Sequence, residues 1–244
     1  MHTVDDIVAK GVRERRIDIA RDGRTVPAVL WTPAEGDAPS PVVLLGHGAS
    51  GSKRQDYVVA LARGLVRHEG LSAVAIDGPV HGDRRADGRI DGERAFLEFA
   101  QRWSAADGLI DDMVADWRAT VDVVQGLPEI ADGACGLWGL SMGTIFGLPL
   151  AAAESRVAAA VLGLMGIAGP TRARFAKDAA AVSCPVMFLV QWDDELFRRE
   201  RAFELFEALG SADKRLHAHP GLHAEVPAEE FEASRRFLAS HLVP

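Results

Sequence analysis

The pentapeptide Gly139-Leu140-Ser141-Met142-Gly143 constrains this chain more than any other stretch. It reads G-x-S-x-G and lies between a short apolar run, Ala134-Cys135-Gly136-Leu137-Trp138, and a small-residue stretch from Thr144 to Glu154. The first predicts a strand and the second a helix, so the serine falls on the bend between them. A sharp strand-to-helix turn forces close backbone contacts, and the positions two before and two after the serine must then be small. Such a turn lifts the serine hydroxyl above the sheet. Strings this short also arise by chance, so the reading depends on partner residues elsewhere.

Apolar runs that predict strands recur along the chain, most of them followed by helical patterns. Arg13–Ala20 and Val26–Thr32 read as a hairpin with Arg21-Asp22-Gly23-Arg24 as its turn. Pro41–Gly46 is continuously apolar, as in a strand buried on both faces. Tyr57–Arg67 follows at helical spacing, and Leu71–Ile76 is the next buried strand. Ile110–Leu127 predicts an amphipathic helix with Ile110, Met113, Val114, Trp117, Val121 and Val124 on one face. Further strands are expected at Val157–Leu162, Pro185–Val190 and Lys214–His219, and helices at Arg199–Leu209 and Glu229–His241. This alternation implies an α/β fold: a mostly parallel sheet covered by helices on both faces. In such sheets ligands bind at the carboxyl ends of the strands.

The chain has 244 residues, enough for one domain over its whole length, with 48% hydrophobic and 25% charged residues. A net charge of −8 argues against nucleic acid or an anionic membrane as a partner. Met1 to Arg24 is polar and charged throughout, unlike a secretory signal. Cys135 and Cys184 are far apart, each beside an apolar run, and read as buried free thiols. Cytoplasmic residence is the expectation. The sequence does not indicate an oligomeric state.

A serine nucleophile needs a general base, and that base needs an orienting acid. His223, in Pro220-Gly221-Leu222-His223 after the last strand, is the candidate base, with His217 and His219 as competitors inside the strand. The acid is expected after Pro185–Val190, in Gln191-Trp192-Asp193-Asp194-Glu195-Leu196-Phe197. Asp194 is chosen because Leu196 and Phe197 behind it would anchor the turn in the core; Asp193 is the alternative. Acyl transfer also requires backbone N–H groups for the oxyanion. Met142 supplies one, and Ala49, in His47-Gly48-Ala49-Ser50-Gly51-Ser52, is expected to supply the other, with His47 supporting the loop. Neither a phosphate-binding G-x-x-x-x-G-K-[ST] string, nor a dinucleotide G-x-G-x-x-G, nor a metal-binding H-E-x-x-H is present. No metal or cofactor is expected.

With HGASGS at 47–52, DGPVHGD at 77–83, GLSMG at 139–143, QWDDELF at 191–197 and PGLH at 220–223, the chain resembles the α/β-hydrolase superfamily from about Arg13 to its C-terminus. The chain order Ser141, Asp194, His223 is the order of that superfamily. Within it the chain is most similar to small bacterial esterases related to the dienelactone hydrolases. It departs from true dienelactone hydrolases by carrying Ser141 where they carry a cysteine. The resemblance implies a serine hydrolase that cleaves small to medium carboxylic esters without a cofactor. Peptide or amide cleavage, peracid formation and a non-catalytic binding role are the alternatives.

The segment 163–181 leaves no room for a large lid. The longer excursion, about 78–106, holds Asp83, Arg84, Arg85, Asp87, Arg89 and Arg94, then Phe96, Leu97, Phe99 and Trp103 with helical character, and is a candidate short cap. Arg84 and Arg85 are candidates to bind an acidic substrate group, although interleaved acids make a solvated loop the plainer reading. Trp192 and Phe197 are candidate walls of an acyl pocket, with core packing as the plainer role.

Overall fold

The computed structural model describes residues 1–36, 38–85, 87, 92–105 and 108–243. Arg89 lies outside the described residues. Among the described residues, nine strands form one sheet: β1 (His2–Ala9), β2 (Val12–Arg21), β3 (Arg24–Pro33), β4 (Ser40–Gly46), β5 (Ser72–Ile76), β6 (Ile130–Leu140), β7 (Val157–Gly163), β8 (Val186–Gln191) and β9 (Lys214–His219). Their spatial order is β1-β2-β3-β5-β4-β6-β7-β8-β9. β1, β2, β3 and β5 pair antiparallel in succession, and every pairing from β5 through β9 is parallel.

β4, β5, β7 and β8 are buried on both faces, as their apolar runs require, whereas β9 at the sheet edge is half-buried to exposed along its length. Alternation then divides the core. Val42 and Leu44 of β4 face one layer, and Val43 and Leu45 face the other. On the first side lie α3 (Leu109–Gln125), α4 (Met142–Ala153), α5 (Arg172–Ala181) and α6 (Arg199–Ala208). On the second lie α1 (Asp56–Gly64), continued by a π-helical turn at Leu65–Glu69, and α7 (Ala228–Leu242). α2 (Gly92–Ala105) arises from the 78–106 excursion and joins the first side through Phe99. All six residues expected on the buried face of α3 are buried.

Two elements were not expected. β1 extends the leading hairpin into a three-stranded meander. All eight of its residues are exposed, which removes the apolar alternation that would mark a strand. Its turn, Lys10-Gly11 at φ 51° and 76°, has the same positive-φ pair as Asp22-Gly23 at 47° and 74°. Paired positive φ is the tight hairpin geometry that matches strand twist. The second element is α5, whose sequence RARFAKDAAA offers one large apolar residue, Phe175, to the core.

α4 ends at Glu154, which accepts from Arg156 Nε at 2.9 Å and Arg118 Nε at 3.0 Å. The Arg156 bond, with further help from Arg118, holds this carboxyl at about 2, against 4.5 for an unperturbed glutamate. A folded pKa below the unfolded one adds stability above pH 4.5 that is lost as pH falls toward 2. Glu154→Gln is therefore expected to flatten the fall of Tm between pH 4.5 and 2, removing on the order of 2 kcal/mol at neutral pH. Parallel acid melts of the two proteins test this, and identical slopes would remove the assignment.

Candidate active site

Ser141 stands between β6 and α4 at φ 57° and ψ −118°, a strained conformation for a residue with a Cβ. Its neighbours are small because the backbone leaves no room. A Cβ on Gly139 would lie 2.7 Å from Gly143 O, and one on Gly143 would lie 3.0 Å from Gly46 O. The turn is tied down by Ser141 N–H donating to Gly163 O at 3.0 Å and by Thr144, whose Oγ1 accepts from Gly163 N–H at 2.8 Å. Gly139→Ala is expected to cost about 1–3 kcal/mol by overpacking and to misplace Ser141. Thermal unfolding together with ester turnover would measure both losses.

His223, in the loop after β9, places Nε2 2.9 Å from Ser141 Oγ. Its Nδ1 lies 2.8 Å from Asp194 Oδ2. Asp194 comes from the loop after β8, and its side chain is 4% exposed. Burial works to raise its pKa. Hydrogen bonds from His223 and from the N–H groups of Phe197 and Leu196 outweigh this and hold it below the usual carboxylate value. Those two N–H groups both donate to Asp194 Oδ1 at 2.8 Å. The turn is thus organised by backbone donors rather than by the expected apolar anchor, since Leu196 is half exposed. Asp193 is exposed and meets Gly221 N–H only at 3.5 Å.

Glu195 does more than solvate the loop. Its Oε2 accepts from His223 N–H at 2.8 Å, joining the acid loop to the base loop. The competitors His217 and His219 turn instead to Glu230 on α7, with ring nitrogens 2.9 and 2.7 Å from its carboxylate.

The loop after β4 faces the serine turn. His47 Nε2 accepts from Gly78 N–H at 2.8 Å, so the ring proton sits on Nδ1 and is donated to Gly48 O at 2.8 Å. Burial, aided by His81, pushes His47 down to about 4, which keeps this tautomer neutral. Gly48 O and Ala49 N–H belong to one trans peptide and point in opposite directions. Holding Gly48 O to His47 therefore turns Ala49 N–H the other way. Gly48 N–H itself donates to Tyr57 Oη at 2.7 Å. Met142 opens α4, where N–H groups have no intrahelical acceptor and the helix dipole favours negative charge. Among the described residues, neither Ala49 N–H nor Met142 N–H meets a protein acceptor.

Of the other candidates, Phe197 stays beside the histidine, its ring 5.8 Å from that of His223. Trp192 is 46% exposed, with its ring against Phe203 and Arg199. Arg84 donates to Asp116 Oδ2 at 2.6 Å and lines a cavity of about 530 Å³ that contains no triad residue. Arg85 pairs with Asp87 and Glu98.

A cold-adapted esterase from an Arctic intertidal metagenomic library, solved in a PEG-bound complex, superposes with a TM-score of 0.87 at 39% identity. The match covers 99% of this chain and 100% of that one. The chain belongs to the α/β-hydrolase superfamily, among its esterases. The dienelactone hydrolase of Anabaena variabilis shares the fold at 19% identity and a TM-score of 0.68, over 95% of this hydrolase and 97% of its own chain. The 2,6-dihydropseudooxynicotine hydrolase of Paenarthrobacter nicotinovorans is 27% identical over 146 residues, 60% of this chain. The hydrolase spans only about a third of that curated relative, 34% of its length. No family model matches the chain. Among the described residues, no helix is long and apolar enough to cross a membrane, and no cluster of three or more His, Cys, Asp or Glu residues could hold a metal.

Proposed function

We propose that the protein is a serine carboxylesterase acting on small to medium esters through an acyl-enzyme. The observation that carries this reading is the continuous hydrogen-bonded line from Ser141 through His223 to Asp194, at 2.9 and 2.8 Å. Ser141 Oγ attacks the ester carbonyl carbon as His223 Nε2 takes its proton. The N–H groups of Ala49 and Met142 receive the oxyanion. His223 returns the proton to the leaving alcohol, then activates the water that releases the acid. Asp194 holds the Nδ1–H tautomer and stabilises the imidazolium. The esterase relative at 39% identity supports the ester as substrate class.

α2 is the roof of this site in our reading, and the rest of the chain forms one domain beneath it. Its first residue, Gly92, abuts Ser50 in the loop after β4, where a Cβ would lie 2.5 Å from Ser50 O. Near its other end Trp103 Nε1 donates to Thr171 Oγ1, in the loop after β7, at 3.0 Å. β6 lies between β4 and β7, so a helix of 14 residues, about 21 Å long, crosses the strand end that carries Ser141. Phe99 stacks on Trp103 and meets Phe146 of α4, giving the helix an apolar underside. Both cysteines are free, and burial pushes their thiols up to about 12 and 11, so they stay protonated and are poor nucleophiles beside Ser141.

The test is hydrolysis of p-nitrophenyl esters from acetate to decanoate, with Ser141→Ala in parallel. Turnover that vanishes in the variant supports the reading, and the chain-length profile measures the acyl pocket. Absence of Ser141-dependent turnover on every ester overturns it.

A further inference from the structure

His81 is a buried titratable group that the mechanism leaves unused. Its ring is fully buried in the turn after β5. Nε2 lies 2.7 Å from Ala49 O and Nδ1 lies 2.6 Å from Pro79 O. Both neighbours are carbonyl oxygens, which only accept. A neutral imidazole has one N–H, so it can make only one of these contacts a hydrogen bond.

The position of Ala49 makes the choice matter. The peptide before Ala49 is held through Gly48 O by His47, and the peptide after it ends in the carbonyl that faces His81. Peptide planes are rigid and turn only about φ and ψ. Fixing the planes on both sides of Ala49 fixes the direction of its N–H. We propose that His81 carries a proton on Nε2, donates it to Ala49 O, and so acts as a positioning residue for the oxyanion hole. The proposal rests on the esterase reading above, because it gives Ala49 N–H its task.

Among the described residues, the groups around His81 are already engaged. His47 stands edge-on with ring centroids 5.1 Å apart, and its Nε2 is taken by Gly78 N–H. The Asp77 carboxylate accepts from Lys53 N–H, Lys53 Nζ and Asp83 N–H. Asp83 also meets Lys53 Nζ, and Phe99 of α2 closes the remaining side with ring centroids 6.0 Å apart. Burial pushes the His81 pKa down, assisted by Arg85. The Ala49 and Pro79 carbonyls and Asp77 oppose this without reversing it.

Two substitutions separate the two contacts. The carboxamide nitrogen of glutamine reaches about as far as Nε2, and that of asparagine about as far as Nδ1. His81→Gln is expected to keep kcat within about threefold of the wild type. His81→Asn is expected to lose about 10- to 100-fold in kcat with KM unchanged, less than outright removal of an oxyanion donor. A merely structural histidine would give equal losses in the two variants, and that result overturns the proposal. Nitrogen-15 NMR of the histidine rings in the intact wild-type protein tests it without substitution. A proton on His81 Nε2 supports it, and a bare Nε2 with the proton on Nδ1 overturns it. Loss of the esterase reading would appear separately, as wild-type protein without Ser141-dependent turnover.

Discussion

Ser141→Ala is expected to lower kcat on p-nitrophenyl esters by about 10⁴-fold or more while leaving the fold intact. The substitution deletes one oxygen whose hydrogen-bond partner is His223 Nε2. The backbone bonds that hold the turn, Ser141 N–H to Gly163 O and Thr144 N–H to Ser141 O, do not involve that oxygen. Alanine can hold the same strained dihedrals at similar cost, so Tm should move by no more than about 1 kcal/mol allows. The oxyanion donors and the His223–Asp194 pair remain, so residual turnover above the uncatalysed rate, through water rather than acyl-enzyme, is expected. A fluorophosphonate probe makes the same point covalently: it should label the wild type and fail on the variant. Labelling that survives the loss of Ser141 would mean that another nucleophile does the chemistry.

The parts of the site that were legible in the sequence share a physical origin. β4, β8 and the Cys135–Leu140 end of β6 are buried, so their residues form largely apolar runs, and in β4 and β6 the glycines that let the chain turn over the sheet mark their ends. Ser141, Ala49 and the acid loop that holds Asp194 could be located by following those runs to their carboxyl ends, whereas His223 follows β9, a largely exposed strand, and was marked by its Pro220-Gly221-Leu222-His223 loop. β1 could not, because exposure of both its faces erases periodicity; only Lys10-Gly11, a hairpin dipeptide before Val12, hinted at it. α5 was hidden because a helix wedged between α4 and α6 needs few large side chains. Long-range partners were the harder problem. Nothing local reveals that Arg84 turns to Asp116 or that His81 reaches back to Ala49, since each contact joins separate loops. His81 was visible as part of DGPVHGD, but its role depends on which carbonyl the fold brings beside it.

The choice among three adjacent carboxylates is where local chemistry and fold must agree, and it yields the second large effect. Asp194→Asn is expected to lower kcat by about 10⁴-fold. The N–H groups of Leu196 and Phe197 both point at Asp194 Oδ1, so an asparagine must place its carbonyl oxygen there. Its NH₂ then faces His223 Nδ1, where the carboxylate had accepted a proton. Two donors cannot share that contact, so the imidazole moves its proton to Nε2 and presents an N–H to Ser141. The base is then in the wrong tautomer, with the geometry otherwise preserved. Asp193→Asn is expected to change turnover by less than about threefold, because among the described residues the side chain of Asp193 is exposed and hydrogen-bonds only through the 3.5 Å approach of Gly221 N–H. Steady-state kinetics of the two variants side by side decide the matter. An inactive Asp193→Asn beside a near-normal Asp194→Asn would transfer the orienting role to Asp193 and require the loop after β8 to rearrange when substrate binds.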